Sequence, residues 1–206
     1  RVFMWIGLQQ AMMDLVMRPE MIHEAMRRTV EGYLAELDQM QALGLLECNN
    51  GPYRIGSGAY GHTSQLPTRP ENDQPVRAMD SWGSSTAQIF SDISPEMHWE
   101  FVLQYEQRWL ERWGMTYYGC CEPLHRKLDM LRKIPNLRKI SMSPWVNDVE
   151  GAEKIGRDYV YSLKPNPAIL AEDKWRPEQA RKELRDRLEA TRGCNVEIIL
   201  KDVSTV

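Results

Sequence analysis

The chain has 206 residues and a formal net charge of −3. That length lies within the range of one domain and is enough to bury a substantial core. The slightly acidic balance gives no electrostatic support for a nucleic-acid partner, and no apolar run is long enough for a membrane span. Without a signal-peptide pattern, we expect a cytoplasmic protein that binds neither nucleic acid nor membrane. Its four cysteines are too few and too unevenly spaced for a secreted disulfide framework, so reduced thiols are expected.

The first part of the chain is predicted to be one long helix followed by a long connection. Residues 19–43 carry apolar side chains every three or four positions, and a short strand is expected at residues 45–49. Residues 51–91 are rich in Gly, Ser, Pro and polar residues, and a connection of that length is typically functional or disordered. We expect it to border the site. Its candidates are Arg54, which could pair with a substrate carboxylate, and His62.

The next predicted element is a helix that begins with Ser94 as its N-cap and Pro95 at its first position. Aromatic residues follow at intervals of four, and this stripe indicates a core-facing side. His98 lies within this helix and is expected at its surface or at an interface.

From residue 115 onward, strands and helices alternate. Strands are expected at residues 115–120, 138–143, 159–163 and 196–201, each pair separated by a helical pattern. This spacing is typical of βαβ units, so we predict an α/β fold whose strands are parallel and adjacent in chain order.

Reactive side chains are concentrated where these strands end. In a β/α architecture the carboxyl ends of parallel strands face the active site, and thiols and carboxylates are the usual ligands of zinc. The alternative is that one cysteine is a buried apolar residue and that Glu122 only decorates a helix start. The residues at these strand ends are Cys120, Cys121, Glu122, Lys164, Asn166, Lys201 and Asp202.

Three segments resemble the uroporphyrinogen decarboxylase superfamily, which includes corrinoid-linked methyltransferases. They are residues 90–97 (FSDISPEM), Tyr118-Gly119-Cys120 and residues 164–170 (KPNPAIL). The resemblance implies a TIM (β/α)₈ barrel, of which residues 1–206 would form the incomplete C-terminal part, roughly strands four to eight. A long loop excursion would fill residues 51–91. Ser81 lies in a stretch similar to the decarboxylases' loop at strand four.

The resemblance also implies a function and a set of site residues. The lead expectation is transfer of a methyl group between a small methylated compound and a corrinoid carried by a partner protein, with a homodimer as a further expectation. Zinc would be held by Cys120, Glu122 and Asp202, which are also the expected catalytic groups. The chain departs from the methyltransferase pattern, because Tyr118 stands where those enzymes have a histidine, and Tyr118 is the reserve proton donor. The expected substrate-binding residues are Arg54, His62, Ser81, Lys164, Asn166 and Lys201.

Two alternatives to methyl transfer remain open. The first is decarboxylation of a tetrapyrrole polycarboxylate, in which Arg54, Lys164 and Lys201 would supply the cationic groups that hold acetates. The second is a non-catalytic barrel that binds a corrinoid or a partner.

The cysteines are expected to have different roles. Because strand side chains alternate between the two faces, Cys120 should share a face with Tyr118, while Cys121 should lean toward the helices. Cys194 follows a helix-ending glycine and should lie at the opposite end of its strand from the site. Cys120 is therefore predicted to be the functional thiol.

Overall fold

The centre of the protein is a sheet of five parallel strands, seen in a computed structural model that describes residues 6–70 and 74–201. A separate two-stranded hairpin precedes it in the chain. The strands are β1 (Arg54–Ile55), β2 (Ala59–Tyr60), β3 (Trp82–Ser85), β4 (Met115–Tyr118), β5 (Leu137–Met142), β6 (Val160–Leu163) and β7 (Asn195–Ile198). β3 to β7 are hydrogen-bonded in chain order, and every pair is parallel. The fold is therefore α/β.

Helices occupy the connections between these strands and the N-terminal part of the chain. The α-helices are α1 (Leu8–Met17), α2 (Pro19–Ala42), α3 (Pro95–His98), α4 (Gln104–Leu110), α5 (Leu128–Leu131), α6 (Asp148–Ile155) and α7 (Pro177–Ala190). A π-helical turn, Trp99–Leu103, joins α3 to α4 without a break. Ser94 accepts a hydrogen bond from the Met97 N–H and caps α3, as predicted. Within the described ranges, every helix is too short or too polar to cross a bilayer.

Four of the five predicted strands are confirmed as parallel neighbours, but the first is misplaced. Residues 45–49 are not a strand, and the first strand of the large sheet is β3, inside the segment interpreted as a loop excursion. Residues 45–49 nevertheless run beside β3. The side-chain amide of Asn49 accepts from the Trp82 N–H at 2.7 Å and donates to the Trp82 carbonyl at 2.9 Å. One side chain thus provides hydrogen-bond partners for both backbone groups of Trp82, the first residue of this edge strand.

The two faces of the sheet are covered differently. One face packs against the helices through a large apolar core that includes Tyr118, Ile140, Tyr161 and Leu163. On the opposite face, Ile55 and Ala59 of the hairpin pack on Trp82, Met115, Tyr117 and Ile199. A complete (β/α)₈ barrel would have the second face as its interior, and the described sheet is compatible with part of such a barrel.

Two buried lysines tie the hairpin to the sheet. Lys139 of β5 donates to the Tyr60 carbonyl at 2.7 Å and to the Glu197 carboxylate at 2.8 Å. Lys164, just after β6, donates to the Ser57 hydroxyl at 3.0 Å. Because Ser57 lies in the turn between β1 and β2, the tip of the hairpin is held over the carboxyl ends of the strands.

Candidate active site

The turn after β4 places two thiols on the hairpin side of the sheet. Gly119 has a φ of 103°, a left-handed conformation that L side chains rarely adopt. A Cβ added there would lie 2.5 Å from the Leu124 side chain and 2.9 Å from the Ser141 Cβ. Only glycine fits this position. The turn ends the alternation of side chains between the two faces of β4. The faces on which Cys120 and Cys121 lie therefore do not follow from that alternation.

Cys120 and Cys121 share one lysine. Lys201 Nζ donates to Cys120 Sγ at 2.9 Å and to Cys121 Sγ at 3.2 Å, and the two sulfur atoms are 3.6 Å apart. The hydroxyl of Ser57 donates to Cys120 Sγ at 3.0 Å. The elements that meet here, the hairpin tip and the ends of β4 and β7, are far apart in the chain.

These contacts make Cys120 the more acidic thiol. Burial alone would raise the pKa of Cys120, but hydrogen bonds from Lys201, Ser57 and Cys121 outweigh it, and the pKa is lowered overall. For Cys121 burial dominates and its pKa is raised. Burial opposes the charge of Lys201, yet its bonds to the two thiols raise its pKa to about 12. Of the two thiols, Cys120 is therefore the one that ionises more readily, beside the Lys201 ammonium.

Lys164 stabilises the positions of Cys120 and Ser57. Only 2% of the residue is exposed. Its ammonium donates to the Cys120 carbonyl at 2.6 Å, to Ser141 Oγ at 2.8 Å and to Ser57 Oγ at 3.0 Å. These bonds use all three of its hydrogens. Burial lowers the pKa of Lys164. Lys164 therefore fixes both the backbone of Cys120 and the serine that contacts its sulfur.

Glu122 also holds the turn. The carboxylate is buried, and it accepts from the Cys120 N–H at 2.7 Å and from the Thr86 hydroxyl at 3.0 Å. Both oxygens thus have partners in the fold.

A zinc ion held by Cys120 and Cys121 would need the position that the Lys201 side chain occupies. The Lys201 ammonium already contacts both sulfur atoms, and a metal ion there would meet a like charge. In residues 6–70 and 74–201, no three or more His, Cys, Asp or Glu side chains are grouped to hold a metal. Asp202, the third expected ligand, lies outside the described residues. The zinc site stays a prediction.

Tyr118 lies on the other face of β4, so the expectation that it shares a face with Cys120 is wrong. Its hydroxyl is 2.8 Å from His98 Nε2 and donates to Glu106 Oε2 at 3.1 Å, on the helix side of the sheet. The expectation that Cys121 leans toward the helices is also wrong, since its sulfur contacts Lys201. The left-handed turn at Gly119 explains both errors.

The remaining predicted residues make their hydrogen bonds elsewhere. Arg54 is exposed and pairs in register with Tyr60 on the outward side of the hairpin. Ser81 is buried and donates to the Glu47 carbonyl. Asn166 accepts from the Ala168 N–H and caps a short 3₁₀ helix. None of these bonds involves a thiol.

His62 and Cys194 lie near the amino ends of strands. His62 is exposed and follows Gly61, whose carbonyl accepts from the indole of Trp82 at the start of β3. The connection therefore reaches the site with its hairpin tip but not with His62. Cys194 immediately precedes β7 and donates to the Ala152 carbonyl, which confirms its predicted place away from the site.

A small apolar cavity has the predicted residues Asn166 and Lys201 in its lining, whereas Cys120 and Cys121 are not among its lining residues. It has a volume of about 160 Å³, and Lys201 is part of its lining together with Pro165, Leu170, Trp175 and Leu200. A small, weakly polar compound would fit this space beside the lysine that contacts Cys120.

Comparisons with family models, with curated proteins and with solved structures find no match to this chain.

Proposed function

We propose that the chain is part of a barrel enzyme of the uroporphyrinogen decarboxylase superfamily that transfers a methyl group from a small methylated compound. The observation that carries the proposal is the Cys120 sulfur, 2.9 Å from the Lys201 ammonium at the carboxyl end of β4. A thiolate is the reactive form of cysteine, and a neighbouring cation stabilises it. The order of the parallel strands and the place of the cysteine support the superfamily assignment.

The site residues can perform one half of such a transfer. The Cys120 thiolate attacks the methyl carbon, and the S–C bond forms while the bond from that carbon to its heteroatom breaks. The electron pair leaves with the heteroatom, and Lys201 supplies the proton that neutralises it. Ser57 holds the sulfur through its hydroxyl, and Lys164 holds both Ser57 and the backbone carbonyl of Cys120.

The other half involves a partner. In this proposal a corrinoid on a partner protein would be the acceptor of the methyl group. The chain's own contribution is the thiolate, which is regenerated when the methyl group departs. Bound zinc, as expected from the resemblance, would instead use Cys120 as a ligand, and metal content separates the two roles.

A labelling experiment tests the proposal. The full-length protein is incubated with methyl-deuterated methylamines, methoxyarenes and methyl thioethers, and the tryptic peptide of residues 113–126, which contains both cysteines, is analysed by mass spectrometry. We expect a gain of one deuterated methyl group on Cys120 with at least one donor. Free cob(I)alamin then serves as the acceptor, and formation of methylcobalamin is followed by absorbance.

Matched variants assign the thiol. Cys120→Ser should abolish both labelling and methylcobalamin formation, while Cys194→Ser should leave both unchanged. Circular dichroism checks that each variant folds. Retention of methyl transfer by Cys120→Ser would contradict the proposal. Turnover of a porphyrinogen by a protein that transfers no methyl group would favour the decarboxylase, and failure of both reactions would favour a binding barrel.

A further inference from the structure

A second cavity adjoins β3, the edge strand of the five-stranded sheet. It has a volume of about 270 Å³ and lies between α2, the end of β3 and the helix that contains α4. Its lining is mainly apolar. Three aromatic side chains, Tyr33, Phe90 and Trp109, take part in it together with one carboxyl group, Glu106.

The aromatic walls are held in fixed orientations. The indole N–H of Trp109 donates to the Ser84 carbonyl at 3.2 Å, and the ring meets that of Trp113 edge-on with centroids 5.2 Å apart. The ring of Tyr33 is tilted against that of Trp109, with centroids 6.0 Å apart. Side chains held in this way need little reorganisation when a ligand enters.

The carboxyl group is also anchored by a hydrogen bond. Glu106 Oε2 accepts from the Tyr118 hydroxyl at 3.1 Å. The neighbouring arginines, Arg108 and Arg112, form their ion pairs with Glu31 and Asp38 instead. Burial raises the pKa of Glu106. A cation inside the cavity would offset the desolvation cost of the negative charge on Glu106.

We infer that this cavity binds a small organic cation bearing N-methyl groups, such as a quaternary ammonium compound. Methylated ammonium groups bind to aromatic faces because the ring quadrupole attracts the cation while the methyl groups need no hydrogen bonds. Glu106 supplies the opposite charge, and the volume accommodates a molecule the size of choline. This inference goes beyond the proposed methyl transfer and does not depend on Cys120.

Calorimetry with two ligands of the same shape tests the inference. Choline is compared with 3,3-dimethylbutan-1-ol, in which a carbon replaces the charged nitrogen, on the full-length protein. We expect choline to bind about tenfold or more tightly than the neutral alcohol, as a desolvated cation–π contact implies. Equal binding of the two, or no binding of choline, would overturn the inference.

Variants locate the site. Glu106→Gln keeps an acceptor for Tyr118 but removes the charge, and it should weaken the binding of choline while leaving the binding of the neutral alcohol unchanged. Glu100→Gln, an exposed carboxylate on the same run of helix, is the matched control and should leave choline affinity unchanged. Trp109→Leu should weaken binding of choline more than binding of the alcohol.

Unchanged choline affinity in Glu106→Gln would overturn the assignment of this cavity. Cys120→Ser should bind choline normally, so a failure of methyl transfer and a failure of this inference are distinguishable.

Discussion

Replacing His98 should remove a specific part of the protein's sensitivity to acid. The imidazole is fully buried on the helix side of β4. The Lys127 ammonium, which has no lone pair, lies 3.3 Å from Nδ1, so this nitrogen accepts and Nε2 carries the hydrogen that faces Tyr118. A proton on Nδ1 would place two cations side by side in a buried site. Burial, with the charge of Lys127, lowers the pKa of His98 from 6.5 to about 3.

The sign and size of the effect follow from proton linkage. Between pH 6.5 and about pH 3 the unfolded chain binds a proton at His98 that the folded protein does not. Stability therefore falls as the pH falls through this window, by about 1.4 kcal/mol per pH unit for one proton. Between pH 6.5 and pH 5 the loss should reach about 2 kcal/mol.

Urea unfolding of the wild type and of His98→Gln measures this loss. The variant lacks the titrating group, so the free energy of unfolding of the wild type should decline relative to the variant below pH 6.5. Other buried groups titrate in both proteins and cancel in the difference. His62→Gln controls for the loss of a histidine at an exposed position. Parallel pH dependences of the wild type and His98→Gln would refute the reasoning.

Two further predictions concern the thiol turn. Lys201→Gln should slow alkylation of Cys120 by iodoacetamide at neutral pH by about tenfold, because a charge-assisted hydrogen bond of about 1.5 kcal/mol is lost; an unchanged rate would show that Lys201 does not stabilise the thiolate. Gly119→Ala should lower the free energy of unfolding by about 2–4 kcal/mol, from backbone strain together with overlap. Gly156→Ala, at a positive φ with open space around it, should show the smaller strain effect alone, about 1–2 kcal/mol. Equal losses in urea unfolding would mean that the close contacts at Gly119 relax.

The later strands were predictable because their residues repeat one pattern. β4 and β6 are short, mainly apolar runs, and β5 carries Leu137, Ile140 and Met142; helical periodicity separates the three strands, and local propensity agrees with the tertiary arrangement there. β3 gives no such signal. Its sequence is Trp-Gly-Ser-Ser, and both glycine and serine lack the side chains that mark a buried strand. The strand forms because β4 pairs with it along its whole length.

The residue types at the site were predictable from the sequence, but the face of the sheet on which each side chain lies was not. Cys120, Lys164 and Lys201 were expected at the carboxyl ends of parallel strands, and the structure brings them together. Ser57 was missed, although the glycines on both sides of it have positive φ and mark a tight turn. Which strand that turn would touch depends on packing across more than 60 residues of chain, and no local pattern records it.

His98 shows the same limit on the opposite face. Its helical context favours an exposed position, and the expectation of a surface residue is wrong, because the side chain is fully buried. Its partners, Tyr118 and Lys127, come from a strand and from the segment before α5. A buried polar group is stable only when such partners are present, and they are distant in sequence.

Two polar clusters lie on opposite faces of the sheet at the end of β4. Strict alternation of side chains along the strand would have placed Tyr118 and Cys120 on the same face. Tyr118, at the end of the strand, belongs to the buried chain of hydrogen bonds that includes His98 and Glu106. Two residues later, Cys120 belongs to the cluster with Ser57 and Lys201 on the opposite face. Gly119 alone changes the direction between them, through a φ that other residues rarely adopt. Changes at Glu106 should therefore alter cation binding without altering thiol reactivity, whereas strain at Gly119 should disturb both clusters at once, since it is the link that holds each in its orientation.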